Sequence, residues 1–123
     1  MGAKILSGGA FESLGQFDAY DLPQDYTPRQ TFRALLDDLN ANGITSIAAH
    51  TQLMIKPGYT FKTVQGIVTN FHQPGSTLLL LVSAGVGDQW KAVYNHALEN
   101  DYRFLSYGDS SLLYFQDMNN TMA

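Results

Sequence analysis

The polar run at residues 69–77 carries the side chains most suited to chemistry, in the order Thr-Asn-Phe-His-Gln-Pro-Gly-Ser-Thr. It lies between a predicted strand, residues 66–71, and a predicted apolar helix that begins at Ser76. The backbone N–H groups in the first turn of a helix are free to bind an anion. A short loop between two rigid elements also holds its side chains in fixed positions. The sequence therefore predicts a substrate site at this strand-to-helix junction.

The composition indicates one compact domain with little positive charge. The 123 residues are 45% hydrophobic, which suffices for one core but not for two ordinary ones. A net charge of -4 disfavours a free-standing nucleic-acid binder, which normally presents a basic surface to phosphates. The absence of cysteine excludes disulfides and a cysteine nucleophile, and it is typical of a reducing compartment.

Residues 1–10 show no secretory signal, because they lack a sustained apolar core. The longest apolar run, residues 78–86, is much shorter than the roughly 20 residues that cross a bilayer. We therefore predict a soluble, cytoplasmic protein without a membrane partner.

The clearest local prediction is a helix that follows Thr27. Thr27 is the expected N-cap, Pro28 suits the first helical position, and Gln30 completes a capping box. Gly43 can adopt the left-handed conformation that ends a helix. One apolar stripe recurs at helical spacing, formed by Phe32, Leu35, Leu36 and Leu39.

Further strands and helices are predicted on either side of the polar run. Residues 3–6 resemble a strand remnant or a chain end that runs into a turn. Residues 44–55 indicate a strand or strand pair that is clearest at 53–55. The continuously apolar segment 66–71 indicates a strand covered on both faces. Ser76 is the expected N-cap of a helix at 77–86, apolar on nearly every face and so buried between layers.

The C-terminal third is predicted to contain a third helix and a last strand or helix start. Asp88 can cap the helix, whose inner face is Trp90, Val93, Tyr94, Ala97 and Leu98. Residues 112–115 form the last apolar segment, and residues 116–123 are expected to be a frayed tail. Together the elements predict a single α/β domain at 1–115, with a short mixed sheet flanked by about three helices.

The histidines do not form a metal-binding pattern. No second histidine lies at metal-ligand spacing from His50, and His96 lies at the edge of a helical stripe where a surface position is expected. We therefore assign no metal site.

Several blocks between residues 57 and 109 occur in an order and spacing that resemble a known family. They are Pro57-Gly58-Tyr59, Phe61-Lys62, Thr69-Asn70-Phe71-His72, Ser76-Thr77-Leu78, Leu81-Val82-Ser83-Ala84, Tyr102-Arg103-Phe104 and Ser106-Tyr107-Gly108-Asp109. Together they resemble the C-terminal part of the S-adenosylmethionine:tRNA ribosyltransferase-isomerases of queuosine biosynthesis. The blocks cover about half of the chain, and their combination is highly specific.

The resemblance implies a transfer reaction on tRNA. The ribosyl portion of S-adenosylmethionine is attached to 7-aminomethyl-7-deazaguanine at the wobble position and rearranged to give epoxyqueuosine. Adenine and methionine leave, so S-adenosylmethionine is a consumed substrate, and no cofactor or metal is implied. The implied partners are S-adenosylmethionine and, for the full-length enzyme, tRNA.

The same resemblance suggests site residues. His72 is the only histidine within a family block, which makes it the candidate general base, although it can instead merely bond to the following turn. Asp109 is the second catalytic candidate; it either contacts ribose or the base, or caps the next element. Arg103 suits the methionine carboxylate or a tRNA phosphate, or it pairs with Asp101 or Glu99. The other substrate-binding candidates, each with a purely structural alternative, are Tyr59, Asn70, Ser76, Thr77 and Tyr107.

The chain also departs from the family. Gly85 stands where members typically have an aromatic residue, and the family's N-terminal α/β portion and inserted β-barrel are absent. We therefore expect a C-terminal fragment of a larger α/β enzyme domain that is inactive alone and can self-associate through surface exposed by truncation. The alternative is a non-catalytic nucleotide- or partner-binding module, which should be monomeric and lack a large exposed apolar patch.

Overall fold

The computed structural model describes residues 1–9 and 13–115, and the chain divides into two compact units, Met1–Met54 and Ile55–Ala123. The tail predicted at 116–123 lies outside the described residues. The helices are α1 (Gly2–Leu6), α2 (Asp18–Asp21), α3 (Pro28–Ala41), α4 (Thr77–Val86) and α5 (Gln89–Glu99). The strands are β1 (Ser13–Leu14), β2 (His50–Thr51), β3 (Gly66–Asn70) and β4 (Ser110–Tyr114), and a 3₁₀ turn spans Leu105–Tyr107.

The mixed α/β class predicted from the sequence is confirmed, and α3, α4 and α5 are the three predicted helices. The strands, however, do not form the single mixed sheet that was expected. In the described part of the chain, β1 and β2 form a parallel pair and β3 and β4 form a separate antiparallel pair. The difference arises because each unit pairs its own strands.

Helix α3 begins and ends as predicted. The Thr27 hydroxyl oxygen accepts the backbone N–H of Gln30 at 3.2 Å, and the Gln30 side-chain oxygen accepts the backbone N–H of Thr27 at 2.8 Å. Pro28 occupies the first helical position, and Gly43 follows the C-cap with a φ of 64°. These contacts satisfy N–H groups that the first helical turn would otherwise leave without partners.

Half of the predicted apolar stripe of α3 is exposed to solvent, whereas Leu35 and Leu39 are half-buried. Phe32 is 61% exposed and Leu36 is 47% exposed. Together with Leu6 they line an open groove of about 680 Å³. Helix α3 is therefore amphipathic, but none of its residues is buried.

Two predictions for the first unit are wrong. Residues 3–6 belong to α1 rather than to a strand, and Gly2 of this helix packs directly against the backbone of Thr31. Residues 53–55 are not a strand either, because the regular pairing with β1 ends after β2. Beyond it, the backbone N–H of Met54 still donates to the carbonyl of Gln16 at 3.0 Å.

A polar cluster in the first unit stabilises the ionised form of Asp18. The backbone N–H of Gly15 donates to Asp18 Oδ2 at 2.8 Å, and Lys4 Nζ lies 3.3 Å from the same oxygen. The Gly15 hydrogen bond and, to a smaller extent, Lys4 lower the pKa of Asp18 below its ordinary value. This stabilisation is therefore present at neutral pH and is lost as the pH falls through the lowered, folded-state pKa.

The second unit is built on the ladder of β3 and β4, which runs in register from Gly66 opposite Tyr114 to Asn70 opposite Ser110. Alternate strand residues point to one face of this ladder, where α4 and α5 pack. The ring of Phe115 lies directly against Gly85 of α4 and leaves no room for a Cβ there. The buried core consists of Phe71, Leu79, Val82, Val86, Tyr94, Ala97, Leu113 and Phe115.

The other face of the ladder is uncovered, which contradicts the prediction that residues 66–71 are buried on both sides. We call this the outer sheet face; it presents Val68 at 71%, Leu112 at 59% and Tyr114 at 75% exposure. Helix α4 is likewise not enclosed between layers, since Leu78 is 50% exposed. Both errors have one cause: in the described residues, this two-stranded sheet carries helices on a single face.

Asp88 and Leu98 also differ from expectation. Asp88 occupies the N-cap position of α5, but its side chain makes no capping hydrogen bond and instead lies 3.5 Å from Lys91 Nζ. Leu98, expected on the inner face of α5, is 65% exposed, whereas Tyr94 and Ala97 are buried as predicted. Among the described residues, no helix combines the length and apolar character required to span a membrane.

Candidate functional site

Two loops meet at the Asn70 end of the β3–β4 ladder, and we call loops 71–76 and 103–109 the candidate site. The backbone N–H of Leu105 donates to the carbonyl of Phe71 at 2.8 Å. Asn70 Nδ2 donates to the carbonyl of Leu105 at 2.8 Å, and Asn70 Oδ1 accepts the Ser110 hydroxyl at 3.1 Å. Asn70, the last residue of β3, therefore binds the second loop through its amide nitrogen and β4 through its amide oxygen. Leu105 is held at a φ of 64°.

His72 is the second residue of the first loop, and residues of two elements, β3 and α5, hold it in place. Its Nε2 lies 2.7 Å from the hydroxyl oxygen of Thr69, at the end of β3. Its backbone N–H donates to the hydroxyl oxygen of Tyr94 at 3.0 Å, and Tyr94 is buried in α5. The imidazole is thus bonded to the preceding strand rather than to the turn that follows it.

Ser76 is the N-cap residue of α4, as predicted, but its side chain makes no capping hydrogen bond. Its hydroxyl oxygen is buried and has no hydrogen-bond partner among the described residues. Thr77, the first residue of the helix, is exposed. The backbone N–H of Leu79 donates to the Ser76 carbonyl at 3.1 Å. The first turn of α4 therefore combines its remaining N–H groups with an unused hydroxyl, an arrangement that can bind a polar substrate group.

Arg103 and Asp109 close the second loop on itself. The backbone N–H of Arg103 donates to Asp109 Oδ2, and the backbone N–H of Asp109 donates to the carbonyl of Arg103, each at 2.8 Å. Gly108 is required in this closure, since a Cβ there would collide with the same carbonyl. The sequence left open whether Arg103 pairs with Asp101 or Glu99; its Nε instead lies 3.9 Å from Asp109 Oδ2.

The guanidinium of Arg103 remains accessible to a ligand. Its side chain is 75% exposed, and an exposed ion pair of this length contributes at most about 1 kcal/mol. A carboxylate or phosphate can therefore compete with Asp109 for it.

The structure does not bring Tyr59 to the candidate site. Its ring packs edge-on against Phe61 at 5.2 Å, and Phe61 lies 4.3 Å from Phe115. Phe115 follows the opposite end of the ladder, beside Gln65 and roughly 16 Å from Asn70 at about 3.3 Å per strand residue. The other predicted stacking residue, Tyr107, ends the 3₁₀ turn of the second loop, and its side chain lies outside the described part of the structure.

Three residues of the site, Thr69, Tyr94 and Ser110, were not predicted from the sequence. Strand alternation could have indicated Thr69, because it places Thr69 on the same face as Phe71, and Phe71 immediately precedes His72. The contacts of Tyr94 and Ser110 join residues 22 and 40 positions apart, which no local pattern reveals. Within residues 1–9 and 13–115, no three His, Cys, Asp or Glu side chains gather to hold a metal.

A known protein family matches this chain across both loops, and several individual proteins are similar to it. The sequence profile of the queuosine biosynthesis protein family matches residues 30–113. The S-adenosylmethionine:tRNA ribosyltransferase-isomerase of Herminiimonas arsenicoxydans is 50% identical over 84 residues, 68% of this chain and 25% of that protein. The protein of the same name from Sphingopyxis alaskensis is 54% identical over 71 residues, which are 57% of this chain and 20% of that protein.

A third such protein, from Novosphingobium aromaticivorans, is 58% identical over 64 residues, 51% of this chain and 19% of that protein. The chain therefore spans about a quarter or less of the length of these curated relatives.

Proposed function

Because the chain belongs to the queuosine biosynthesis protein family, we propose that it forms the C-terminal part of a tRNA-modifying ribosyltransferase-isomerase. The whole enzyme would transfer the ribosyl group of S-adenosylmethionine to 7-aminomethyl-7-deazaguanine at the tRNA wobble position and isomerise it to epoxyqueuosine. Adenine and methionine would leave, so S-adenosylmethionine is a consumed substrate in this proposal rather than a cofactor.

The arrangement of His72 carries the proposal. The reaction needs a base that removes a proton from the ribosyl carbon beside the sulfonium or from the aminomethyl group. Histidine is the usual side chain for such a task at neutral pH. His72 is half-buried, and Thr69 and Tyr94 hold its ring and its backbone. A base restrained in this way is ready for proton transfer without further ordering.

The remaining candidate residues would bind the polar parts of the two substrates. Arg103 presents an exposed guanidinium that suits the methionine carboxylate or a tRNA phosphate. The buried, unpaired hydroxyl of Ser76 and the first turn of α4, with Thr77, would take a further polar group. Asp109 would hold the second loop through Oδ2 and offer its other carboxylate oxygen to ribose.

The side-chain amide of Asn70 already makes hydrogen bonds to Leu105 and Ser110. Asn70 would therefore act by holding the second loop next to the start of the first. Tyr107 would stack on a nucleobase. Tyr59 lies at the other end of the ladder, so it would stack on a base in a different part of the tRNA.

The proposal is tested with the full-length protein that carries this chain. It is incubated with S-adenosylmethionine and tRNA that contains 7-aminomethyl-7-deazaguanine, and the tRNA nucleosides are analysed by mass spectrometry. We expect epoxyqueuosine together with released adenine, and no product from the matched control tRNA with guanine at the wobble position. Unchanged tRNA in the presence of both substrates would contradict the proposed function. The 123-residue chain alone is expected to show no turnover.

The outer sheet face weighs against the alternative of a free-standing binding module. A stable monomeric module seldom exposes neighbouring large apolar side chains, yet Val68 and Leu112 lie directly opposite each other and are both exposed. We propose that this face causes the isolated chain to self-associate.

Sedimentation equilibrium measures this association. The mass of the isolated chain should rise with concentration from 13.6 kDa toward twice that value, because pairing of two outer sheet faces removes apolar surface from water. The double variant Val68→Thr, Leu112→Thr should remain at the monomer mass. The control Leu98→Ala removes an exposed side chain from α5 and should associate like the wild type. A wild-type chain that stays monomeric at all concentrations would refute the role of this face.

A further inference from the structure

The contact between Thr69 and His72 restricts which imidazole nitrogen can act. Thr69 Oγ1 lies 2.7 Å from Nε2 of His72, a short and partly buried hydrogen bond. Nδ1 has no hydrogen-bond partner among the residues that the structure describes. The two ring nitrogens are therefore not equivalent: one is engaged by the strand, and the other is available to a ligand.

A neutral imidazole has one N–H donor and one nitrogen that accepts a proton. When Nε2 carries the hydrogen and donates it to Thr69, the lone pair of Nδ1 is free. When the threonine hydroxyl donates to Nε2 instead, Nδ1 carries the hydrogen and cannot act as a base. Protonated imidazole donates from both nitrogens, so the threonine oxygen can accept from Nε2 before and after proton transfer.

We propose that Thr69 is a positioning residue that accepts the Nε2–H of His72 and thereby makes Nδ1 the nitrogen that removes the substrate proton. This inference rests on the proposed function, since it assumes that His72 is the general base. Beyond the proposed function, the inference identifies Nδ1 as the atom that accepts the proton and Thr69 as the residue that leaves Nδ1 free to do so. The substrate proton moves to Nδ1, which becomes an N–H, while the Nε2–H bond to Thr69 remains in place.

The placement of Thr69 fits this role. Its backbone is fixed in the ladder opposite Ser111, whose hydroxyl donates to the Thr69 carbonyl at 3.2 Å. The backbone of His72 is fixed by Tyr94 at the same time. Both ends of the contact are thus anchored in packed elements, so the ring does not have to be ordered when the substrate arrives.

The tautomer can be measured in the chain itself. Two-bond ¹H–¹⁵N correlation spectra at alkaline pH, where imidazole side chains are neutral, distinguish Nδ1–H from Nε2–H rings. The His72 signals are assigned from their loss in His72→Gln. We expect the Nε2–H form in the wild-type chain and a mixture of both forms in Thr69→Val. An Nδ1–H ring in the wild type, or a spectrum that Thr69→Val leaves unchanged, would overturn the proposal.

Activity separates the positioning role from a structural one. Thr69→Val keeps the β-branched shape that suits a strand, and Thr69→Ser keeps the hydroxyl but loses the methyl group. In the full-length protein, Thr69→Val should lower kcat by about 10–100-fold with KM nearly unchanged, whereas Thr69→Ser should retain most of kcat. A purely structural role predicts the reverse order, with Val active and Ser the less stable variant.

The test also separates failure of this inference from failure of the proposed function. If His72→Gln is inactive while Thr69→Val is fully active, His72 remains the base and the role of Thr69 is refuted. If His72→Gln is itself fully active, the assignment of the base is wrong and the role of Thr69 fails with it.

Discussion

Replacing His72 with alanine is expected to lower kcat of the full-length enzyme by about 10²–10⁴-fold, the usual contribution of a general acid or base. The folded structure should persist, because within the described residues the side chain makes a single hydrogen bond, to Thr69, worth about 1 kcal/mol. The backbone contact with Tyr94 is unaffected by the substitution. Single-turnover formation of epoxyqueuosine, followed by mass spectrometry, measures the chemical step directly.

A matched control is available elsewhere in the chain. His96 lies exposed on α5, where its ring contacts Asn100 and Tyr102. His96→Ala should therefore leave kcat within about twofold of the wild type, because no reacting group is changed. If His72→Ala turns over at close to the wild-type rate, as His96→Ala is expected to do, His72 is not part of the mechanism.

Replacing Phe71 with alanine is expected to lower the free energy of unfolding of the second unit by about 3–5 kcal/mol. Phe71 is 5% exposed, and its ring lies 5.4 Å from those of Tyr94 and Phe104 and 5.7 Å from that of Tyr102. Truncation removes these contacts and leaves a cavity that surrounding rings fill only in part. Because domains are stable by only about 5–15 kcal/mol, this one change can remove much of the total.

Urea unfolding followed by the fluorescence of Trp90 measures the effect. Trp90 is the only tryptophan, and its ring packs edge-on against Tyr94 at 5.8 Å, so it reports on the same aromatic cluster. The control Leu98→Ala, at a 65% exposed position on α5, should change the unfolding free energy by less than about 0.5 kcal/mol. Equal midpoints and slopes for Phe71→Ala and the wild type would show that the cluster is not a stabilising core.

Phe71 also links stability to the candidate site. Its carbonyl accepts the N–H of Leu105, and His72 follows it in the chain. We expect Phe71→Leu, which keeps apolar volume but not the ring contacts, to be less destabilised than Phe71→Ala. Activity in the full-length protein should fall in the same order, because both loops depend on this core residue for their positions.

The sequence by itself determined the features that depend on neighbours within a few residues. The capping box of Thr27 and Gln30, the glycine stop at Gly43 and the turn at Pro57-Gly58 are all present in the structure. Each of these features depends on hydrogen bonds or backbone preferences that span no more than four residues. The residue types in that short segment are therefore sufficient to predict it. The spaced blocks between residues 57 and 109 likewise identified the family, which the profile match to residues 30–113 confirms.

Tertiary structure alone decided which distant residues meet. The sequence could not show that β3 pairs with β4, whose paired residues lie 40 to 48 positions away, and so it wrongly predicted a strand covered on both faces. It also left the partner of Arg103 open, because the choice of Asp109 depends on the path of the second loop. Tyr94, which accepts the backbone N–H of His72 from 22 positions away, was missed for the same reason. Strand pairing and buried contacts depend on which chain segments come together in space, and spacing along the chain does not specify this.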